Sequence, residues 1–128
     1  MFEAEVARGV ALLDEHEPGW RQRIDVQRLD MSEPTYSRRV SHACGCVLAQ
    51  LDPNRHGLWD DGWYEHEAMR LMRAASAPDG TDLHDWAVVH GFTLRVIPHA
   101  DDDAATQWSA LTEAWRRALA QGPGRATP

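Results

Sequence analysis

Trp108, Leu111, Trp115 and Leu119 recur at intervals of three and four residues, between Asp103 and the pair Gly122-Pro123. On a helix this spacing puts four large apolar side chains on one face, which has to be buried against something. Asp103 is the expected N-cap and Gly122-Pro123 the stop. A chain carrying such a segment is expected to pack helix on helix.

The same period recurs upstream. Val6, Val10 and Leu13, with Ala7 and Ala11 beside them, predict a helix from Glu3 to His16 that Pro18-Gly19 stops. Trp20, Ile24, Val26, Leu29 and Met31 support no more than one helical turn, and residues 32–39 read as a polar loop. A second helix is expected from Ser41, a good N-cap type, to just before Asp52-Pro53, because proline disfavours helix at the residue before it. Asn54-Arg55-His56-Gly57 then reads as a turn.

Tyr64, Ala68, Leu71 and Ala75, flanked by Met69 and Met72, predict a third helix over Trp63–Ala75, closed by Ala77-Pro78-Asp79-Gly80. A short fourth helix starts at Asp82-Leu83-His84-Asp85, with acidic residues at its positive end. It finishes at Gly91, with Phe92 packing back over its last turn. Phe92, Leu94 and Val96 alternate with Thr93 and Arg95, so one short strand is allowed over Phe92–Ile97. The expected fold is therefore mainly α: a compact single-domain bundle of about five helices over residues 1–121. Residues 122–128 are expected to form a flexible C-terminal tail.

Composition narrows the function classes. The 128 residues are 43% hydrophobic and include six tryptophans, enough to build a core. The formal charge of −7 disfavours a sequence-independent nucleic-acid binder and suits a partner of opposite charge. All thirteen basic residues are arginine, so no lysine is available as a Schiff-base or general-base amine. The start Met1-Phe2-Glu3-Ala4-Glu5-Val6 lacks the apolar core of a signal peptide, and no apolar run reaches the length of a membrane span. A cytoplasmic protein with reduced thiols is the expectation.

His42, Cys44 and Cys46 form the densest group of metal-ligand types. Their chemistry suits zinc, but a fourth ligand is missing and residues two apart on a helix lie about 200° apart around its axis. The preferred reading is that Cys46, Val47 and Leu51 face the core, free cysteine being among the most buried residue types. A structural metal is the alternative, and a redox or catalytic thiol the weakest reading.

His66-Glu67-Ala68-Met69-Arg70 resembles the zinc-protease pattern, yet Arg70 stands where the second histidine must be and cannot ligate. His84 and His90 are not spaced as a face pair, and His99 beside Asp101, Asp102 and Asp103 reads as a solvated capping loop. Neither a phosphate-binding glycine loop nor a nucleophile elbow occurs. No catalytic, metal or cofactor-binding residue is singled out, and no cofactor is expected.

Trp59-Asp60-Asp61-Gly62-Trp63-Tyr64 sets three large rings in an acidic turn, and such rings are enriched at interface hot spots. Trp59, Asp60, Asp61, Trp63 and Tyr64 are thus the candidate protein-binding residues. Their structural alternative is that Trp63 and Tyr64 cap the third helix and pack inward. Arg38-Arg39 reads as a solvated face with a secondary potential for an acidic partner.

Several segments taken together carry a resemblance: Gly9-Val10-Ala11-Leu12-Leu13-Asp14, Pro18-Gly19-Trp20, Leu29-Asp30-Met31-Ser32, Cys46-Val47-Leu48-Ala49-Gln50-Leu51, His90-Gly91-Phe92 and Leu111-Thr112-Glu113-Ala114-Trp115-Arg116. With Ile24-Asp25 they resemble a group of small uncharacterised proteins of actinobacteria and their phages, over most of the chain from Val6 to Leu119. Ala49 stands where that group usually has glycine, and residues 34–39 and 59–77 match less well. The group has no established activity, so the resemblance implies origin rather than mechanism. It also implies that Trp20, Cys46, Leu48, Gln50, Phe92, Leu111 and Trp115 form a shared framework.

The expected function is a non-enzymatic protein-binding or regulatory module, phage- or mobile-element-associated, acting on an unidentified host or phage protein of basic character. Homo-oligomerisation is compatible with it; nucleic acid and membrane are not favoured. The alternatives are a small zinc-stabilised regulator using His42, Cys44 and Cys46, and, more weakly, a small enzyme with an unrecognised acid–base site.

Overall fold

In the computed structural model the described residues are 1–31, 46–51, 65–95 and 102–121. They form α1 (Glu3–His16), α2 (Trp20–Arg23), a 3-10 turn (Val26–Arg28), α3 (Val47–Leu51), α4 (Glu65–Ala74), α5 (Leu83–Val89) and α6 (Asp102–Gln121). This is an all-α domain, made of the five expected helices and the expected single turn at Trp20. No strand occurs among the described residues; 92–95 are irregular, and 96 and 97 lie outside them.

α1 is the hub, packing against α6, α4 and α5, while α4 also touches α3 and α5. The face it buries carries Val6, Gly9, Leu12 and Leu13. Val10, expected in the stripe, is only partly buried at the edge of the core. Val6 and Leu13 are buried as expected, and Gly9 and Leu12 widen the face on the side where Gly9 meets the His90 carbonyl and the Trp115 ring.

That contact explains the glycine. A Cβ built on Gly9 would stand 2.3 Å from the carbonyl oxygen of His90 and 3.0 Å from the Trp115 ring. Only a residue without a side chain lets α1 come this close to the end of α5. Gly91 holds φ at +74°, and a Cβ there would lie 3.0 Å from the Val6 nitrogen. Two glycines thus face each other's helix ends.

The carbonyls left over at the end of α5 are each accounted for, as buried helix termini require. The amides of His90, Gly91 and Phe92 donate to the carbonyls of Trp86, Val88 and Ala87. The last two bonds make a Schellman cap with Gly91 in the left-handed position. Arg8 Nε donates to Val89 O at 2.8 Å, and Trp115 Nε1 to Gly91 O at 2.7 Å. Phe92, expected to fold back over this turn, does so: its ring centroid lies 5.9 Å from that of Trp86 and 5.7 Å from that of Trp115.

Trp115 is wholly buried at the centre, edge-on to Trp20 with ring centroids 6.1 Å apart. Trp20 in turn donates from Nε1 to Asp14 Oδ1 at 2.8 Å, so both indoles combine apolar burial with a satisfied N–H. Thr112 joins the 20–31 segment to α6, its hydroxyl accepting from Met31 N and donating to Trp108 O, both at 3.0 Å. Trp20, Cys46, Leu48, Phe92, Leu111 and Trp115 are all core residues. Gln50 is partly exposed and pairs its side-chain amide with the backbone of Asp25, accepting from Asp25 N at 2.6 Å and donating to Asp25 O at 3.3 Å.

Two helix starts differ from expectation. α6 begins at Asp102, so Asp103 is an in-helix residue whose carboxylate accepts from Gln107 at 3.0 Å rather than the N-cap. α3 begins at Val47, after a bend at Cys46 whose carbonyl accepts from the Gln50 amide. The helix expected to run through Cys46 from Ser41 therefore starts later; residues 41–45 lie outside the described ones.

Candidate functional site

α4 is amphipathic, with Ala68 and Leu71 fully buried while Met69, Arg70 and Arg73 face outward. It ends in a Schellman cap of its own. Ser76 N donates to Arg73 O and Ala77 N to Met72 O, both at 3.0 Å, with Ser76 in the left-handed region at φ 57°. The chain then makes a tight turn at Pro78-Asp79-Gly80-Thr81. There Thr81 N donates to Pro78 O at 3.1 Å and the Thr81 hydroxyl to the same oxygen at 2.6 Å. Gly80 takes the positive φ (+86°) that such a turn needs at its third position. Asp82 caps α5, its carboxylate accepting from Asp85 N at 2.9 Å.

These two locked turns hold an open groove of about 290 Å³ between the end of α4 and the start of α5. Met69, Met72, Ala77, Pro78 and Leu83 line it, with Arg73 and Asp79 as its charged residues. Met69 is 44% exposed, one of few large apolar side chains left in solvent among the described residues. Methionine is unbranched and polarizable, which lets a surface adapt to varied apolar partners.

Ser76 offers a direct check on this architecture. A non-glycine residue in the left-handed region carries a penalty of about 1 kcal/mol that glycine avoids. Ser76→Gly is expected to stabilise the domain by roughly 0.5–1 kcal/mol, read as a higher urea midpoint at unchanged m-value. A lower midpoint would show that the helix does not end this way.

The residues singled out by sequence distribute as follows. Trp59, Asp60, Asp61, Trp63 and Tyr64 lie outside the described residues, directly before α4 in the chain. His42, Cys44, His99, Arg38 and Arg39 also lie outside them. Cys46 is 1% exposed and sits in the apolar core with Val47, Leu48 and Leu51. Cys46 precedes α3 and Cys44 lies outside the described residues, so burial is what favours a structural role for the Cys46 thiol.

Arg70 acquires a clear role. It bonds Glu67 through Nε at 3.1 Å and through Nη2, and pairs with Glu17 at the end of α1. Arg23 pairs with the other oxygen of Glu17 at 2.9 Å and donates to Leu51 O. Glu67, only 3% exposed, is thereby held beside a guanidinium, as a buried carboxylate must be. The arginine that spoils the zinc-protease pattern is thus the link between α1 and α4. His84 is exposed, and His90 bonds the Trp86 carbonyl through Nδ1 at 2.8 Å while its ring packs on Trp86 at 4.5 Å. The two histidines serve different places, as their spacing suggested.

In the sequence Met69 and Met72 flank the apolar stripe and Ala77-Pro78-Asp79-Gly80 marks its stop. The groove they form together was missed, because it needs the angle between α4 and α5. The signal available was the exposed methionine three residues before a second one, followed at once by a rigid turn. Compared with protein-family models, with curated proteins and with solved structures, the chain matches none.

Proposed function

We propose that this chain is a non-enzymatic protein-binding module whose docking surface includes the groove between α4 and α5. The observation that carries the reading is the exposed Met69 on an apolar groove whose walls are fixed by hydrogen-bonded turns. A rigid wall limits the ordering entropy that association costs. The charge of −7 favours encounter with a basic protein. Trp59, Asp60, Asp61, Trp63 and Tyr64, which immediately precede α4 in sequence, extend the proposed surface. A phage or mobile-element setting and a host or phage partner belong to the same proposal and rest on the sequence resemblance.

The test uses a partner identified by affinity capture from an actinobacterial host and then purified. Met69→Glu places a charge on the apolar surface at an exposed position, where substitutions usually change stability by less than about 0.5 kcal/mol. The expected outcome is at least a roughly tenfold rise in Kd with an unchanged melting temperature. Equal binding by wild type, Met69→Glu and the Trp59→Ala/Trp63→Ala double variant, all folded, would reject this surface.

A further inference from the structure

The groove holds an uncommitted pair of charges. Among the described residues, Arg8, Arg21, Arg23, Arg70, Arg95, Arg116 and Arg117 each donate to a carboxylate or a carbonyl, and Arg28 is also engaged. Arg73 alone among the described arginines has no hydrogen bond or ion pair, and it faces outward on the last turn of α4. Asp79, on the rigid turn at the groove's other wall, is likewise unpaired among the described residues. Both line the same apolar floor of Met69, Met72, Ala77 and Leu83.

An arginine free of internal partners presents its full planar fork to an incoming carboxylate. Beside it, a volume of about 290 Å³ admits one large apolar side chain. Building on the binding-module reading, we infer that the groove recognises a polypeptide segment of defined charge pattern. The segment sets one large apolar side chain on the methionines, a carboxylate side chain against Arg73 and a basic side chain against Asp79. The chain's negative charge adds long-range attraction for a segment whose surroundings are basic. The apolar anchor supplies affinity; the two charges fix the direction in which the segment lies, since reversing it sets like charges together.

The experiment titrates the purified protein with a panel of blocked nonapeptides bearing a central Leu, Met or Phe, flanked by Glu and Arg in both orders. Backbone amide shifts of α4 and residues 76–83 report binding. One order is expected to bind at least roughly fivefold more tightly than the other, the scale of exposed charge pairs. Replacing the peptide's Glu by Gln should weaken binding to wild type but leave binding to Arg73→Gln unchanged. The Arg73→Glu/Asp79→Arg double variant should prefer the opposite order. Shifts in the groove with no dependence on charge order would overturn this inference and leave the binding-module reading standing. If no peptide of the panel shifts groove amides while a purified natural partner does, the inference alone fails. If neither does, both readings fail.

Discussion

Gly9→Ala is expected to destabilise the domain by about 2–3 kcal/mol, although alanine is the better helix former. In an exposed helix interior the substitution would gain about 1 kcal/mol. Here the new methyl would stand 2.3 Å from the His90 carbonyl oxygen, a backbone atom that cannot rotate away. Either α1 withdraws from the end of α5 or the cap at Gly91 is disturbed, and both outcomes open the close contact between these two elements. Overpacking of this kind costs about 1–3 kcal/mol and occasionally more. For a chain of this size the expected fall in melting temperature is roughly 10 °C, followed by far-ultraviolet circular dichroism. A rise in melting temperature would mean that α1 and α5 do not approach as described.

Trp115→Ala is expected to cost about 3–5 kcal/mol, the usual range for removing a fully buried tryptophan, and so to bring the domain close to global unfolding. The loss has two parts that milder variants separate. Trp115→Phe keeps most of the contact with Phe92 but deprives Gly91 O of its indole donor, at an expected cost of about 1–3 kcal/mol. Trp108 is the internal control: it is buried, yet among the described residues its indole nitrogen has no hydrogen-bond partner. Trp108→Phe should therefore be the milder of the two by about 1 kcal/mol, and urea unfolding of both variants gives the comparison directly. If Trp108→Phe were the more damaging, the bond from Trp115 to the α5 cap would have no energetic weight.

Both substitutions act on one contact, so their effects should not add. The atoms of Trp115 that crowd Gly9 belong to the far ring of the indole, which phenylalanine lacks. In a Gly9→Ala background, Trp115→Phe relieves that part of the clash but not the clash with the His90 carbonyl. The double variant is expected to be less destabilised than the sum by about 0.5–1 kcal/mol, as for contacting residues generally.

How far the fold could be read beforehand varies by element. α1 was placed to the residue, because a period of three and four between an acidic start and Pro18-Gly19 admits few alternatives. The α5 cap was legible too, since Gly91 followed by Phe92 is the local signature of a Schellman ending. The starts of α3 and α6 were not. Ser41 and Asp103 are good caps by residue type, but cap types occur more often than caps, and only backbone geometry chooses among them. The candidate site was the least legible part. Trp59 to Tyr64 were singled out by composition, whereas the groove depends on two helices that are adjacent in sequence but joined at an angle no local pattern encodes.

What the sequence determined by itself is the class of fold: apolar residues at helical spacing, broken by proline and glycine, have no way to bury themselves except helix against helix. It also determined that Trp108, Leu111 and Trp115 would be inside. The tertiary structure alone decided which residues touch. It assigned Gly9 to a backbone contact, Arg70 to a buried carboxylate, and Met69 to solvent beside an unpaired Arg73. Burial follows from the period of a single segment, and pairing depends on the distance and angle between two.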